Sequence, residues 1–287
     1  MRTPASPGPR RAAGLAVLAL WAGAALAEPA LIAESDRSFS EPHDLVVSAD
    51  GKHLYVADVG NDVIKVLDAK TLETIGTLGA GELSAPHDVA IDADGTLIVA
   101  DSGNDRIVAL SPDGGDVVQL AGWRDGLGSP EGAAVASGGW IYLANASQHT
   151  VMLMWAGTVI GRAGGFGDGP NQYIRPHDVE IGPGGRVYVA DPGNHRIQVL
   201  SPQLSPLETI GGSPYDFNEP KYIALDTRGW LYVADEYNDR IVVMDERRRI
   251  VETFGAGMLD RPEGIEVIGN FIWVADTHND RILLFRR

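Results

Sequence analysis

The chain has 287 residues, with 39 acidic against 23 basic side chains, a formal net charge of −16 and no cysteine. Such a surface repels nucleic acid phosphates and anionic lipid and favours cations or basic partners, although acidity also serves simply to keep an exported protein soluble. Without cysteine there is neither a disulfide framework nor a lipid-bearing N-terminal cysteine, so a chain of this length must be held by its core alone.

Arg2, Arg10 and Arg11 precede an apolar run over 12–26 that ends in Ala25-Leu26-Ala27. This is the layout of a secretory signal peptide, and the run is shorter than the roughly 20 apolar residues of a membrane-spanning helix. We therefore expect cleavage before Glu28, a mature domain over 28–287, no integral membrane segment, and a periplasmic or secreted location. The adjacent Arg10 and Arg11 leave general and twin-arginine export open. Removing 1–27 takes away three arginines and no acid, leaving 20 basic against 39 acidic residues, a net charge of −19.

Downstream, one stretch recurs. It opens at Pro42, Pro86, Pro130, Pro176, Pro220 and Pro262, at spacings of 44, 44, 46, 44 and 42 residues. A period in the forties marks a repeat architecture. Within each copy a first apolar alternation (Val89 and Ile91, Val179 and Ile181, Ile223 and Leu225) runs into a Gly-containing turn. A second, more apolar segment follows, such as LYVAD at 54–58 and 231–235 or VYVAD at 187–191, then a polar corner and a third alternation, as at 197–200. A fourth strand is expected over 72–78, 158–161, 207–210 and 250–254. Period-two patterning, Val/Ile/Tyr enrichment and Gly/Asp/Asn punctuation predict an all-β chain. Four antiparallel strands repeated six times predict a six-bladed β-propeller.

The sixth copy stops at Arg287 after its third strand, whereas Leu31 and Ile32 precede the first copy at the spacing of an outer strand. The N-terminal segment 29–33 is therefore expected to complete the last blade and close the ring, removing an open sheet edge.

The pattern Pro-x-Asp/Gly-Val/Ile, then LYVAD, then x-x-Asn-Asp/His-Arg-Ile resembles the NHL repeat over 29–287. The third copy departs most, with Asn145-Ala146-Ser147-Gln148-His149-Thr150 at its corner, and the first has Val63 where others carry arginine. Recurrence gives Asp101/Arg106, Asp191/Arg196, Asp235/Arg240 and Asp276/Arg281 a structural role, as ion pairs within each corner. His149, His195 and His278 at the corners read as solvated loop residues, and the tryptophans, apart from Trp123, as packing between sheets.

The start of each first strand lies at the same end of an antiparallel blade as the corner between the second and third strands. The residues after the opening prolines, His43, His87, Glu131, His177, Lys221 and Glu263, should therefore ring one mouth of the central channel. Histidine and carboxylate are ordinary zinc ligands. Alternate blades stand about 120° apart, which favours His87, His177 and Glu263 as the set converging on an ion, with His43 able to substitute. Asp44, Asp88 and Asp178, next to the histidines, suit a harder cation such as calcium. A polar residue at a wet channel mouth is the plainer alternative.

Within this family the chain is similar to the peptidyl-α-hydroxyglycine amidating lyases. The resemblance implies zinc held by histidines after prolines, with His43, His87 and His177 at those places and Glu263 where a third alternate blade would supply one. It also implies a calcium nearby and a corner tyrosine, here Tyr237, as the catalytic group. The corner positions that should supply arginines read Val59, Ser102, Pro192 and Thr277. The functional expectation is first an exported, monomeric scaffold binding a protein or small molecule at the channel mouth, and second a metal-dependent lyase or hydrolase.

Overall fold

A computed structural model of the chain describes residues 28–287, and the expected signal peptide over 1–27 lies outside the described residues. Six four-stranded antiparallel sheets form the ring. Their innermost strands are Pro42–Val47, Pro86–Ile91, Pro130–Ala136, Val179–Ile181, Pro220–Leu225 and Pro262–Ile268, and we number the blades one to six in that order.

The second strands, such as Leu97–Asp101, Val187–Asp191 and Leu231–Asp235, are buried along their whole length. Each is flanked by sheets on both faces, which is why the LYVAD segments are continuously apolar rather than alternating. The core is divided accordingly into six layers between adjacent blades. One packs Tyr222, Tyr232 and Phe254 of blade five against Ile265, Ile272 and Phe285 of blade six.

Ring closure follows the expected route. Ala30–Glu34 pairs antiparallel with Arg281–Arg286, placing Leu31 opposite Phe285 and Glu34 opposite Leu283. Glu34 also bonds Arg281 at 2.8 Å, so first and last strands are joined by side chains as well as by the ladder.

The corner aspartates fix where each first strand begins. Asp235 Oδ1 accepts the amide of Asn218 at 2.7 Å, while its Oδ2 takes Asn238 Nδ2 at 2.8 Å and Arg240 Nε at 2.7 Å. Asp101, Asp191 and Asp276 are bonded in the same way to Arg106, Arg196 and Arg281, and all are fully buried. In blade one, where Val63 replaces the arginine, Lys65 reaches Asp58 at 3.1 Å instead. In blade three Asn145 keeps the backbone contact, to Gly128, without a charge.

A second device links neighbours. The residue ending each corner is left-handed, and its side chain accepts the amide of the residue before the next blade's opening proline. Asp62 takes Ala85, Asp105 takes Ser129, Asp239 takes Arg261 and Asp280 takes Glu41. His149 and His195 do the same through Nδ1 for Arg175 and Glu219, so these two corner histidines are clasps between blades rather than solvated loop residues. Left-handed backbone tolerates Asp, Asn and His best, which explains the restricted residue choice there.

Candidate functional site at the channel mouth

The two devices deliver the residue after each proline to the channel mouth. Pro42 pairs with Asp58, Pro86 with Asp101 and Pro262 with Asp276, so first-strand starts and corners do share one face. His43, His87, Glu131, Arg175, His177 and Lys221 line a cavity of about 330 Å³ there.

The convergence differs from the three-fold arrangement expected. One ligand atom each from His43, His177 and Glu263 lies within 4.8 Å of the other two. The set thus takes His43 rather than His87. Side-chain direction decides this, not the angle between blades. His87 Nδ1 lies 2.9 Å from the carbonyl of Ala85, which ties the ring back to its own loop. It packs edge-on against His43, centroids 4.7 Å apart, and its ring centre lies 6.1 Å from that of His177.

Two glycines explain the pairing. A side chain on Gly264 would stand 2.2 Å from the carbonyl oxygen of His43, and one on Gly132 would stand 2.6 Å from that of His177. Their absence lets blade one close on blade six, and blade four on blade three. His43 Nδ1 comes to 3.2 Å from Glu263 Oε2, and His177 Nε2 to 3.6 Å from Glu131 Oε2. The signal was present in the sequence as Pro-Glu-Gly at 130–132 and 262–264, facing Pro-His-Asp at 176–178 and 42–44.

Both histidines of these pairs sit where burial disfavours the imidazolium form. Burial, aided by the Lys221 ammonium, lowers the His43 pKa to about 3 and holds His177 well below the usual range, while burial and neighbouring His43 lower His87 to about 4. Each ring therefore keeps a lone pair. His43 Nδ1, His177 Nδ1 and Glu263 Oε2 are all buried without a hydrogen-bond partner, the 3.2 Å approach of His43 to Glu263 lacking the alignment of a bond. Buried polar atoms are nearly always satisfied. Two imidazoles and a carboxylate, each with an unpartnered buried atom, are the residue types that bind a zinc-class ion.

Charged neighbours brace the group. Lys221 Nζ bonds Glu263 Oε1 at 2.9 Å and lies 3.2 Å from Glu236 Oε2. Burial works against the lysine's charge, but the two carboxylates outweigh it and raise its pKa. Burial pushes Glu236 up to about 7 and raises Glu131, against the opposing pull of Arg175, whose Nη2 stands 2.5 Å from Glu131 Oε1. Arg175 and Glu236 were not singled out from sequence, because one precedes a proline and the other opens a variable corner. Tyr237 is not among the residues lining the cavity: it is 43% exposed, with the Arg261 guanidinium 4.5 Å from its ring centre.

Below the mouth the channel changes character. Tyr222 crosses it from blade five, its hydroxyl donating to the carbonyl of His87 in blade two at 2.7 Å and its ring meeting His177 edge-on. Beneath lies a chamber of about 250 Å³ whose ionisable lining residues are Asp44, Asp88, Asp178, Glu180 and Glu266, with no basic side chain among them. Asp44 and Asp178 each use one oxygen to take an amide of a neighbouring blade, from Val89 and Ile223. Asp88 Oδ1 is buried and has no partner. Burial first, then mutual repulsion, raises Asp44, Asp88 and Glu180 well above the carboxylate range, and burial alone moves Asp178 and Glu266 up to about 7.

Comparison with known proteins agrees with the architecture. The NHL repeat model matches residues 83–118 and 174–200. No curated protein matches by sequence. Among solved structures, virginiamycin B lyase from Staphylococcus aureus is similar at 14% identity and a TM-score of 0.63, over 86% of this chain and 95% of that one. A gluconolactonase from Xanthomonas campestris is similar at 15% identity and 0.70, over 86% of each chain. An auxiliary nutrient-binding protein from Bacteroides thetaiotaomicron is similar at 16% and 0.69, over 86% of this chain and 69% of that one. Identities this low carry the fold alone. Matched segments and six closed sheets together make the chain a six-bladed β-propeller that carries NHL repeats at 83–118 and 174–200.

Proposed function

We propose that the channel mouth is a metal centre held by His43, His177 and Glu263, and that the protein is a metal-dependent lyase or hydrolase acting on a small molecule in the mouth cavity. The observation that carries this reading is the approach of one ligand atom each from His43, His177 and Glu263 to within 4.8 Å of one another, in three side chains that each also leave a buried polar atom without a partner. His43, His177 and Glu263 would hold an ion of the zinc class, whose chemistry there would be Lewis acidity toward an oxygen of the bound molecule. The chain's own groups do the rest. Glu131, raised by burial and standing between Arg175 and His177, is placed to take a proton from a ligand in the cavity. Arg175, more than half exposed, offers its remaining donors to an anionic or carbonyl oxygen. Lys221 holds Glu263 in position. The lyase and gluconolactonase names borne by two structural neighbours are in keeping with such chemistry.

Elemental analysis of the purified mature chain tests the reading. We expect one zinc-class ion per chain, lost in His177→Ala and in His43→Ala, and retained in His87→Ala. Metal-free protein as isolated, or full retention in His177→Ala, would refute the centre. The chamber's carboxyls, with the orphan Asp88 Oδ1, favour a separate hard cation of the calcium class there. We further propose export to the periplasm or medium, which N-terminal sequencing beginning at Glu28 would establish.

A further inference from the structure

The face opposite the mouth carries an arrangement that the metal centre does not use. At the lower end of blade three, Trp140 and Trp155 stand opposite each other on paired strands, ring centroids 5.9 Å apart, at 38% and 49% exposure. Trp140, with Tyr142, Leu153, Ile160 and Pro202, lines an apolar cleft of about 510 Å³, and Trp155 packs against Trp140 beside it. The turn at 183–185 separates it from a second cleft of about 540 Å³, lined by Arg186, Tyr188, Arg228 and Arg248; Gly185 borders the first and Gly184 the second. Arg248 Nη2 bonds the Tyr188 hydroxyl at 2.7 Å, and Arg228 lies 4.0 Å over the Trp230 ring.

Charge at the lower ends of blades four to six runs against that of the molecule. Of 20 Lys and Arg residues in 28–287, seven sit at the lower ends of blades four to six: Arg186, Arg228, the three at 247–249 and the two at 286–287. Asp226, Asp245, Glu208 and Glu252 engage Arg228, Arg249, Arg248 and Arg287, and Glu246 borders the second cleft. Arg186, Arg247 and Arg286 make no ion pair among the described residues.

We propose that this lower face is a docking surface for an acidic peptide segment of a partner protein, which seats one apolar side chain in the cleft at Trp140 and sets its flanking carboxylates against Arg186 and its neighbours. Exposed aromatics beside arginine are the composition of binding hot spots. The mature chain carries 39 acidic against 20 basic residues, which repels an acidic ligand elsewhere, so complementarity selects this sector and orients the approach. The apolar element is a cleft rather than a flat patch, which suits an inserted side chain and not a bilayer surface.

The test uses the mature chain and three fluorescein-labelled, blocked hexapeptides: one leucine flanked by Asp and Glu, the same peptide with glycine for leucine, and the same with lysine for the acids. Fluorescence anisotropy at low salt should rank the leucine–acid peptide tightest. Trp140→Ala and Arg186→Glu should each weaken it about tenfold, the second without moving Tm because the Arg186 side chain is exposed. Equal or absent binding of the three peptides, indifference to both substitutions, or binding to phosphatidylglycerol vesicles without peptide preference would each overturn the proposal.

Discussion

At the residue scale, the geometry of the mouth depends on two positions where no side chain exists. Gly264 lets the His43 backbone approach blade six, and the 2.2 Å that an added Cβ would leave to a carbonyl oxygen cannot be relieved by rotating a side chain. Gly264→Ala should therefore separate Glu263 from His43 and lower metal content without removing any ligand. Unchanged metal content in a folded Gly264→Ala protein would show that blade approach does not set the site. The corner aspartates act on folding instead. Asp235→Ala removes the fully buried acceptor shared by Asn218, Asn238 and the partly buried Arg240, for which loss of a buried, hydrogen-bonded charge predicts about 3 kcal/mol in urea unfolding. A loss below about 1 kcal/mol would place the corner pair with surface ion pairs.

At the scale of the element, Ala30–Glu34 covers the outer edge of blade six, and its ladder with Arg281–Arg286 is what makes the ring continuous. Deleting 29–40 exposes that edge and removes Phe39 from the layer between blades six and one. The melting temperature should drop by about 10 °C or more, with aggregation through the freed strand. An unaltered melting curve would mean that three-stranded blade six is self-sufficient. Closure was legible in the sequence because Ile32 stands at the spacing of the other outer strands. The left-handed clasps were not, since their function lies in a bond to the next blade and not in any local pattern.

At the scale of the molecule, two sets of buried groups pull stability in opposite directions with pH. His43 and His87 have folded pKa values of about 3 and about 4, below the unfolded value, so their contribution is complete above about pH 6.5 and is lost as pH falls through those values. Glu236 and Glu266 are raised to about 7, so their contribution is complete below about pH 4.5 and is lost as pH rises through 7. Metal-free protein should be most stable between about pH 4.5 and 6.5, and added calcium should stabilise it more at pH 8 than at pH 5. Urea unfolding in EDTA across this range checks both statements. A flat profile from pH 5 to pH 8 would show that the channel carboxyls do not couple to folding.

The sequence by itself determined the blade count, the strand order, the closure and the ring of ionisable residues at one mouth. These follow from period, alternation and antiparallel pairing, which are one-dimensional. It also held the corner ion pairs, since Asp and Arg recur at fixed spacing. Only the tertiary structure decided which ring members meet. A six-fold repeat suggests that alternate blades converge, yet His87 is turned away by Ala85 and His43 is brought in by Gly264 from the adjacent blade. Tyr222 dividing the channel and the gathering of arginines on the lower face are likewise contacts between segments far apart in the chain. Such contacts leave no local periodic trace, because they depend on side-chain direction across the ring and not on position along a strand.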